Sequence, residues 1–265
     1  MNTKITVPDI LRRKDTQQKI VAITSYNFLT AKLVHEYVDI ILVGDSISQV
    51  LFGENSTLSI PFEVMLYCAK SVRKAVKNSM LVFDMPFGSY QISKEDARKN
   101  IVKVMKETGA DAVKMEGGLE ISELVKEITN IGVPVMGHIG MLPQSVKKYG
   151  GYKIQGRDEQ TAEKIFRDAK ELEKSGVFSI VLEALPYSLA KRITEEIKIP
   201  TIGIGAGPYC DGQIIVLEDI IGLTDTPPSF VRRYENLSEK IKNAVSEFSK
   251  DVRENRYPSL SESYK

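Results

Sequence analysis

The sequence predicts an α/β protein that folds as a (β/α)₈ barrel, and three observations support this class. Short apolar runs alternate with longer amphipathic segments, which is typical of repeated βα units that build a parallel sheet. The length of 265 residues is typical of one such barrel. Five of the apolar runs end on a polar or charged residue, as strands do at the catalytic rim of a barrel. A doubly wound open sheet is the competing architecture.

The predicted strands and helices follow each other along the chain. Strands are predicted at 20–24, 40–43, 80–84, 112–116, 133–138, 178–183, 201–204 and, on a weaker pattern, 214–217. Helices are predicted between them at 96–107, 120–128, 158–174 and 188–197. Ser93 and the acidic residues after it suit a helix start. Gly109, Gly132 and Gly176 fall where helices should end.

Two flanking segments lie outside this repeat. Residues 8–17 predict a short N-terminal helix that closes the floor of the barrel. After Pro227 and Pro228, apolar residues keep helical spacing over several turns and predict an extra C-terminal helix; they are Phe230, Tyr234, Leu237, Ile241, Val245, Phe248 and Val252. No flexible linker interrupts the chain, so residues 1–265 are expected to form a single barrel domain.

Composition and charge exclude several classes of partner. A formal net charge of +1 provides no long-range field for nucleic acid or an acidic membrane. No apolar run reaches the roughly 18 residues needed to cross a bilayer, and the N-terminus lacks the apolar core of a signal peptide. The two cysteines, Cys68 and Cys210, are too few for a disulfide framework and are not spaced like zinc ligands. A cytoplasmic protein that binds small molecules is expected.

Asp45 and Asp84 indicate a cation site. Each closes a run of large apolar residues, where a carboxylate must be hydrated, paired or bound to metal. Hard oxygen ligands that leave room for water and substrate favour Mg²⁺. Capping of the following helix would explain either aspartate alone. The pair, joined by Glu116 on the same rim, favours the metal.

Lys114 and Glu116 stand two residues apart on one predicted strand, so their side chains share a face. Val113 and Met115 supply the apolar face under the helices, which leaves the first pair pointing into the barrel near its mouth. A structural ion pair is one interpretation. The functional interpretation gives Lys114 an anionic substrate to bind and Glu116 a water of the metal to hold.

His138 and Glu183 end two further strands. His138 precedes the long segment 140–157, which is expected to be a nonregular lid over the rim or else a mobile surface loop. Hydrogen bonding to a substrate carboxylate is the role expected of His138, with a purely structural role as the alternative. A partly apolar barrel mouth that excludes water favours the protonated form of Glu183, which makes the residue a stronger base when it is ionised. Glu183 is therefore expected to remove a proton next to a carbonyl group, with a salt bridge as the alternative.

These residues lie within a longer ordered pattern. From about Val7 to Asn255 the chain resembles the ketopantoate hydroxymethyltransferase family, also called 3-methyl-2-oxobutanoate hydroxymethyltransferases. The matching segments, in order, are Val43-Gly-Asp-Ser46, Asp84-Met-Pro-Phe87, Val113-Lys-Met-Glu-Gly-Gly118, Gly137-His-Ile-Gly140, Pro143-Gln-Ser145, Gly150-Gly-Tyr-Lys-Ile-Gln-Gly156, Val181-Leu-Glu183, Ile202-Gly-Ile-Gly-Ala-Gly207 and Asp211-Gly-Gln213.

The resemblance implies a fold and a reaction. The fold is a (β/α)₈ barrel of the phosphoenolpyruvate mutase and isocitrate lyase superfamily. The reaction transfers a hydroxymethyl group from 5,10-methylenetetrahydrofolate to 3-methyl-2-oxobutanoate through a Mg-stabilised enolate. Its product is 2-dehydropantoate, for pantothenate and coenzyme A synthesis. One Mg²⁺ per subunit and a homo-oligomer, commonly a decamer, are also implied.

The resemblance also implies roles for individual residues. Asp45 and Asp84 resemble the Mg²⁺ ligands, and Glu116 supports the metal site. Glu183 falls on the family's proton acceptor. The oxo acid would be bound by Asp45, Ser46, Asp84 and Lys114. His138 joins them because of its position at the end of a predicted strand.

Two other functions stay open at this point. One is a Mg²⁺-dependent oxo-acid lyase of the same superfamily, although neither cysteine lies in the rim position where such relatives carry a catalytic cysteine. The other is a non-catalytic oxo-acid-binding paralogue, against which the retention of Glu183 argues. The chain departs from the family pattern at Asn27, where aspartate is common, and at Glu54 and Asn55 after the second strand. None of these is a proposed ligand or base.

Overall fold

A computed structural model describes residues 4–265 and shows a closed barrel of eight parallel strands in sequential order. The predicted fold class is therefore confirmed. The strands are β1 (Ile20–Thr24), β2 (Ile40–Val43), β3 (Met80–Asp84), β4 (Ala112–Glu116), β5 (Val135–Gly140), β6 (Ser179–Glu183), β7 (Thr201–Ile204) and β8 (Gly212–Ile215). Closure comes from the pairing of β1 with β8, in which Ile20 lies opposite Gly212.

Helices follow the strands as a (β/α)₈ pattern requires. They are α1 (Val7–Thr16), α2 (Phe28–Val34), α3 (Ile47–Val50), α4 (Phe62–Ala75), α5 (Lys94–Thr108), α6 (Ser122–Asn130), α7 (Val146–Tyr149), α8 (Glu159–Lys174), α9 (Tyr187–Glu196), α10 (Leu217–Ile220) and α11 (Leu237–Arg253). Side-chain oxygens cap the N-termini of several helices: that of Ser93 caps α5, and that of Asp158 caps α8. Asn27 caps α2 in the same way, a role that asparagine and aspartate fill equally well.

The structure corrects the predicted bounds of two strands and the predicted character of one loop. Strand β5 lies at Val135–Gly140 rather than 133–138, because Pro134 has no N–H and joins the sheet only through its carbonyl oxygen, which accepts from Val113. Strand β8 lies at Gly212–Ile215 rather than 214–217. The segment 140–157 is not wholly irregular, since it contains α7 and the helical turn Pro143–Ser145.

The C-terminal helix was also predicted to begin too early. Phe230 and Tyr234 precede it, and α11 begins at Leu237. The backbone N–H groups of Tyr234 and Leu237 donate to the carbonyl oxygens of Ile220 and Ile221, which holds this stretch in a non-helical path. The extra C-terminal helix itself is confirmed. Helix α4 was not predicted from the sequence.

The lower half of the barrel interior is filled by apolar side chains. Alternate residues of the strands point inward, and those from all eight strands meet in one buried cluster: Ile20, Ala22, Ile40, Leu42, Met80, Val82, Ala112, Met136, Phe178, Val181, Ile202 and Ile214. Ile10 of α1 belongs to the same cluster and is fully buried, so the predicted closure of the barrel floor by an N-terminal helix is confirmed.

Ion pairs hold α1 against the floor. Arg13 lies 2.7 Å from Asp39, and Lys14 lies 2.8 Å from Asp211. The same two carboxylates also accept backbone hydrogen bonds from β1 and β7. Each aspartate therefore joins the helix to the start of the sheet.

Contact clustering divides the chain into two compact units, one ending at Val216 and the other running from Leu217 to Lys265. The first contains the barrel, and the second contains α10 and α11. The prediction of a single domain over the whole chain stays a prediction. No helix within residues 4–265 is long and apolar enough to span a membrane.

Candidate active site

The interior of the barrel changes from apolar to ionisable towards the C-terminal ends of the strands. Asp84 follows Val82 by two residues in β3, and His138 follows Met136 by two residues in β5. Because side chains two apart on a strand share a face, both polar groups point into the interior that the core fills below. The same spacing holds on β4 and β6 for Lys114, Glu116 and Glu183.

Asp45 and Asp84 are in contact at the ends of β2 and β3. The backbone N–H of Asp45 donates to Oδ2 of Asp84 at 3.3 Å, and both residues are buried. Burial, together with the negative charge of Asp84, raises the pKa of Asp45 to about 7. Ionising both carboxylates is therefore costly unless a cation compensates for their charge.

Lys114 supplies one compensating charge. Its Nζ lies 2.6 Å from Oδ1 of Asp84, and the residue is buried. Burial acts against the charge of Lys114, but the carboxylates of Asp84, Glu116 and Asp45 outweigh this effect and raise its pKa. We call Asp45, Asp84 and Glu116 the acidic cluster. Its three carboxyl groups exceed the single lysine that neutralises them.

Sequence reasoning missed a polar group that holds the acidic cluster. Gln144 is buried in the helical turn after β5, and its Nε2 donates to Oδ2 of Asp45 at 2.9 Å. Its backbone N–H donates to Oε2 of Glu116 at 3.0 Å. The hydroxyl of Tyr90 accepts from the backbone N–H of Glu116 at 3.1 Å. In the sequence, Gln144 is marked only by its place in the matching segment Pro143-Gln-Ser145 and by its position shortly after a strand that ends in polar residues.

His138 lies between two glutamates. Its Nδ1 is 3.7 Å from Oε1 of Glu116, and its Nε2 is 3.2 Å from Oε2 of Glu183. Burial, followed by the positive charge of Lys114, lowers the pKa of His138, so the imidazole is neutral near pH 7. A neutral imidazole donates from only one nitrogen and can therefore serve only one of these glutamates at a time.

Glu183 is the most open carboxylate of the rim. Its side chain is 18% exposed, against 2% for Glu116 and 3% for Asp84. Burial raises the pKa of Glu183 to about 7, even though Lys114 acts in the opposite direction. A carboxylate with such a pKa is ionised to a substantial fraction at neutral pH and is a stronger base than an ordinary glutamate.

The loop after β5 crosses directly over Glu183. The backbone N–H of Met141 donates to the carbonyl oxygen of Glu183 at 2.9 Å. Gly140 has φ +100°, and a Cβ at this position would lie 2.3 Å from that same oxygen, so only glycine allows the crossing. Ala184, the next residue after Glu183, has φ +48°, which is unusual for alanine. Backbone strain of this kind clusters at functional sites.

All seven residues predicted for the site therefore lie at one end of the barrel. Ser46 follows Asp45 directly, and its hydroxyl lies 2.8 Å from the hydroxyl of Tyr26. The other six are joined, through Gln144, in a continuous series of contacts: Lys114, Asp84, Asp45, Gln144, Glu116, His138 and Glu183.

Fold and rim together define a class, the (β/α)₈ barrels that gather ionisable side chains at the C-terminal ends of their strands. The structure of phosphonopyruvate hydrolase in complex with oxalate and Mg²⁺ is similar, with a TM-score of 0.61 and 14% identity over 97% of this chain and 93% of the other. The structure of 2,3-dimethylmalate lyase, itself a member of the phosphoenolpyruvate mutase and isocitrate lyase superfamily, gives a TM-score of 0.60 and 12% identity over 96% of this chain and 92% of the other. At these identities the similarity establishes the fold alone.

Sequence comparison identifies the family. The family profile described as ketopantoate hydroxymethyltransferase matches residues 4–260. The 3-methyl-2-oxobutanoate hydroxymethyltransferase of Chlorobaculum parvum is 49% identical over 98% of this chain and 96% of its own length. That of Pyrococcus furiosus is 46% identical over 96% and 90%. The chain belongs to the ketopantoate hydroxymethyltransferase family, and its prediction as a transferase of this kind is confirmed.

Proposed function

We propose that the protein transfers a hydroxymethyl group from 5,10-methylenetetrahydrofolate to 3-methyl-2-oxobutanoate, as a step of pantothenate and coenzyme A synthesis. The C3–H bond of the oxo acid breaks, a carbon–carbon bond forms to the methylene carbon, and water supplies the hydroxyl group. The products are 2-dehydropantoate and tetrahydrofolate. The names of the relatives support the acceptor and the hydroxymethyl transfer. The single observation that carries the chemistry is Glu183 beside a buried acidic cluster.

Mg²⁺ fits the acidic cluster, at one ion per subunit. Its carboxyl groups outnumber the one lysine beside them, and Oε1 of Glu116 is buried with no hydrogen-bond partner among residues 4–265. Within residues 4–265 no three His, Cys, Asp or Glu side chains form a ligand set by themselves. Proteins usually hold Mg²⁺ by one or two carboxylates, while water and substrate complete its shell. Asp45 and Asp84 would be the ligands, with Glu116 in support.

The ion would act as a Lewis acid that polarises the oxo acid and stabilises the negative charge of its enolate. A related barrel, phosphonopyruvate hydrolase, holds Mg²⁺ together with oxalate, a small dicarboxylate.

Lys114, Ser46 and His138 would bind the oxo acid together with the two aspartates. Lys114 is held in its protonated form by its carboxylate neighbours, so a full positive charge faces the site. His138 is neutral and can donate one hydrogen bond to the substrate carboxylate. The hydroxyl of Ser46 is oriented by Tyr26. These groups would hold the carboxylate end of the oxo acid in place, with its C3 atom facing Glu183.

Glu183 would take the proton from C3. Its pKa of about 7 leaves a useful fraction ionised at neutral pH, and its accessibility exceeds that of the other rim carboxylates. General-base action of this kind contributes about 10²–10⁴ in rate.

Formation of 2-dehydropantoate from the oxo acid and methylenetetrahydrofolate tests this proposal. We expect Glu183→Gln to lose product formation while keeping calorimetric binding of the oxo acid, and Glu195→Gln, an exposed substitution on α9, to keep both. Asp45→Asn combined with Asp84→Asn should lose Mg²⁺ binding. A protein that binds the oxo acid but forms no product would instead support the non-catalytic alternative, and cleavage of an added oxo acid would support the lyase.

We also propose that the protein assembles as a homo-oligomer, with a decamer as the specific form. Several large apolar side chains are exposed on and near α2 and α4, among them Leu29, Leu33 and Tyr67. Contiguous exposed apolar groups are typical of interaction surfaces. Native mass spectrometry measures the assembly directly, and a monomer would contradict the proposal.

A further inference from the structure

We infer that Gln144 is a positioning residue that fixes the orientation of both Asp45 and Glu116 in the acidic cluster. The inference rests on the proposed function in one respect, namely that this cluster binds Mg²⁺. Gln144 contacts the carboxylates rather than the reacting atoms, so its effect would pass through them. Its side chain donates a hydrogen bond to one carboxylate and its backbone N–H donates to the other, so one residue can orient both.

Every hydrogen-bonding group of the Gln144 side chain is used. Nε2 donates to Oδ2 of Asp45 and to the carbonyl oxygen of Met85, each at 2.9 Å. Oε1 lies 3.0 Å from the hydroxyl of Tyr90 and accepts from Nε2 of Gln91 at 2.9 Å. A primary amide has two donors and one acceptor oxygen, and all of them are satisfied here.

These partners also determine which way the amide points. A carboxylate and a carbonyl oxygen only accept, so the nitrogen must face Asp45 and Met85. Gln91 presents an amide nitrogen, so the oxygen must face it. A flipped amide would place oxygen against two acceptors, and the cost of such unpaired buried groups excludes it. The orientation of Gln144 is therefore fixed from both sides.

The backbone of the same residue reaches the second carboxylate. The N–H of Gln144 donates to Oε2 of Glu116 at 3.0 Å, while Tyr90 holds the backbone of Glu116 at 3.1 Å. Asp45 follows β2 and Glu116 ends β4, so no element of the sheet joins these two side chains directly. Gln144 connects them and sets their separation. Partners that orient metal-binding carboxylates typically contribute about 10- to 100-fold to metal affinity.

Calorimetric titration of Mg²⁺ into protein saturated with 3-methyl-2-oxobutanoate tests the inference. Gln144→Met keeps the length of the side chain and removes its hydrogen bonds, and Gln144→Asn keeps the amide but shortens its reach. Gln155→Met is the matched control, because Gln155 lies in the same loop and its side-chain amide donates to the carbonyl oxygen of Lys153 rather than to a carboxylate of the acidic cluster. Urea unfolding of each metal-free variant shows whether it is folded.

We expect both Gln144 variants to bind Mg²⁺ about 10- to 100-fold more weakly than the unsubstituted protein, and Gln155→Met to bind it within about twofold. If Gln144→Met does not fold, the Gln144→Asn titration decides. Wild-type affinity in a folded Gln144 variant would overturn the inference while leaving the metal site intact. Absence of Mg²⁺ binding by the unsubstituted protein would instead overturn the proposed site and, with it, the inference.

Discussion

The replacement Glu183→Gln should stabilise the metal-free protein at alkaline pH while abolishing catalysis. The pKa of Glu183 rises from an ordinary value of 4.5 to about 7 in the folded chain. One pKa unit corresponds to about 1.4 kcal/mol, so the folded state disfavours the ionised carboxylate by about 3 kcal/mol. Glutamine cannot ionise, and the variant should escape this cost.

The sign of the effect follows from proton binding. Below about pH 4.5 the carboxyl group is protonated in both folded and unfolded chains, and it costs nothing. As the pH rises from there to about 7, the unfolded chain has already lost the proton that the folded chain retains, so the free energy of unfolding falls. Above that pH the free energy of unfolding falls no further on account of Glu183, because the carboxyl group is then ionised in both states. The gain of Glu183→Gln should therefore be below about 1 kcal/mol at pH 5 and about 3 kcal/mol at pH 8.

Urea unfolding at the two pH values, at one protein concentration and without Mg²⁺, measures this difference. Glu195→Gln is the matched control, because that glutamate is exposed on α9 and should show no pH-dependent gain. Other buried carboxylates titrate in both proteins, so their contributions cancel in the comparison. An equal gain at pH 5 and pH 8, or no gain at either, would refute the reasoning from burial.

Three further predictions concern the same end of the barrel. Lys114→Met leaves Asp84 buried without its counter-charge, so urea unfolding of the metal-free protein should show a free energy of unfolding lower by about 3–5 kcal/mol. A decrease below about 1 kcal/mol would contradict the pairing. Gly118→Ala would place a Cβ 2.2 Å from Cγ of the buried Asp168. Thermal unfolding followed by calorimetry should therefore show a free energy of unfolding lower by about 1–3 kcal/mol. The kcat/KM for product formation should rise with pH, reach half of its maximum near pH 7, the pKa of Glu183, and level off about one unit above; a flat profile between pH 5 and 7 would argue against that residue as the base.

The fold and most of the rim could be predicted from sequence because both are local patterns. A strand such as β3 consists of apolar residues that end in Asp84, and β6 ends in Glu183 in the same way, so the change from core to active end is visible along each strand. Parallel strands then bring these ends together whatever the loops do.

The parts that could not be predicted depend on contacts between distant segments. Gln144 reaches Asp45 across 99 positions of the chain, and only the path of the loop after β5 makes that contact. The matching segment Pro143-Gln-Ser145 marks the position, but nothing in it indicates which carboxylate the side chain of Gln144 reaches. The early start predicted for the C-terminal helix has a similar cause, since hydrogen bonds to Ile220 and Ile221 override the apolar spacing around Tyr234.

Exchange of the C3 hydrogen of 3-methyl-2-oxobutanoate in deuterated water is the most direct test that the acidic cluster and Glu183 turn an oxo acid into a carbon nucleophile. It needs no folate and observes proton removal alone. We expect exchange in the unsubstituted protein with Mg²⁺, and none after chelation of the metal or in Glu183→Gln. Exchange that continues undiminished in Glu183→Gln, or without the metal, would contradict this account.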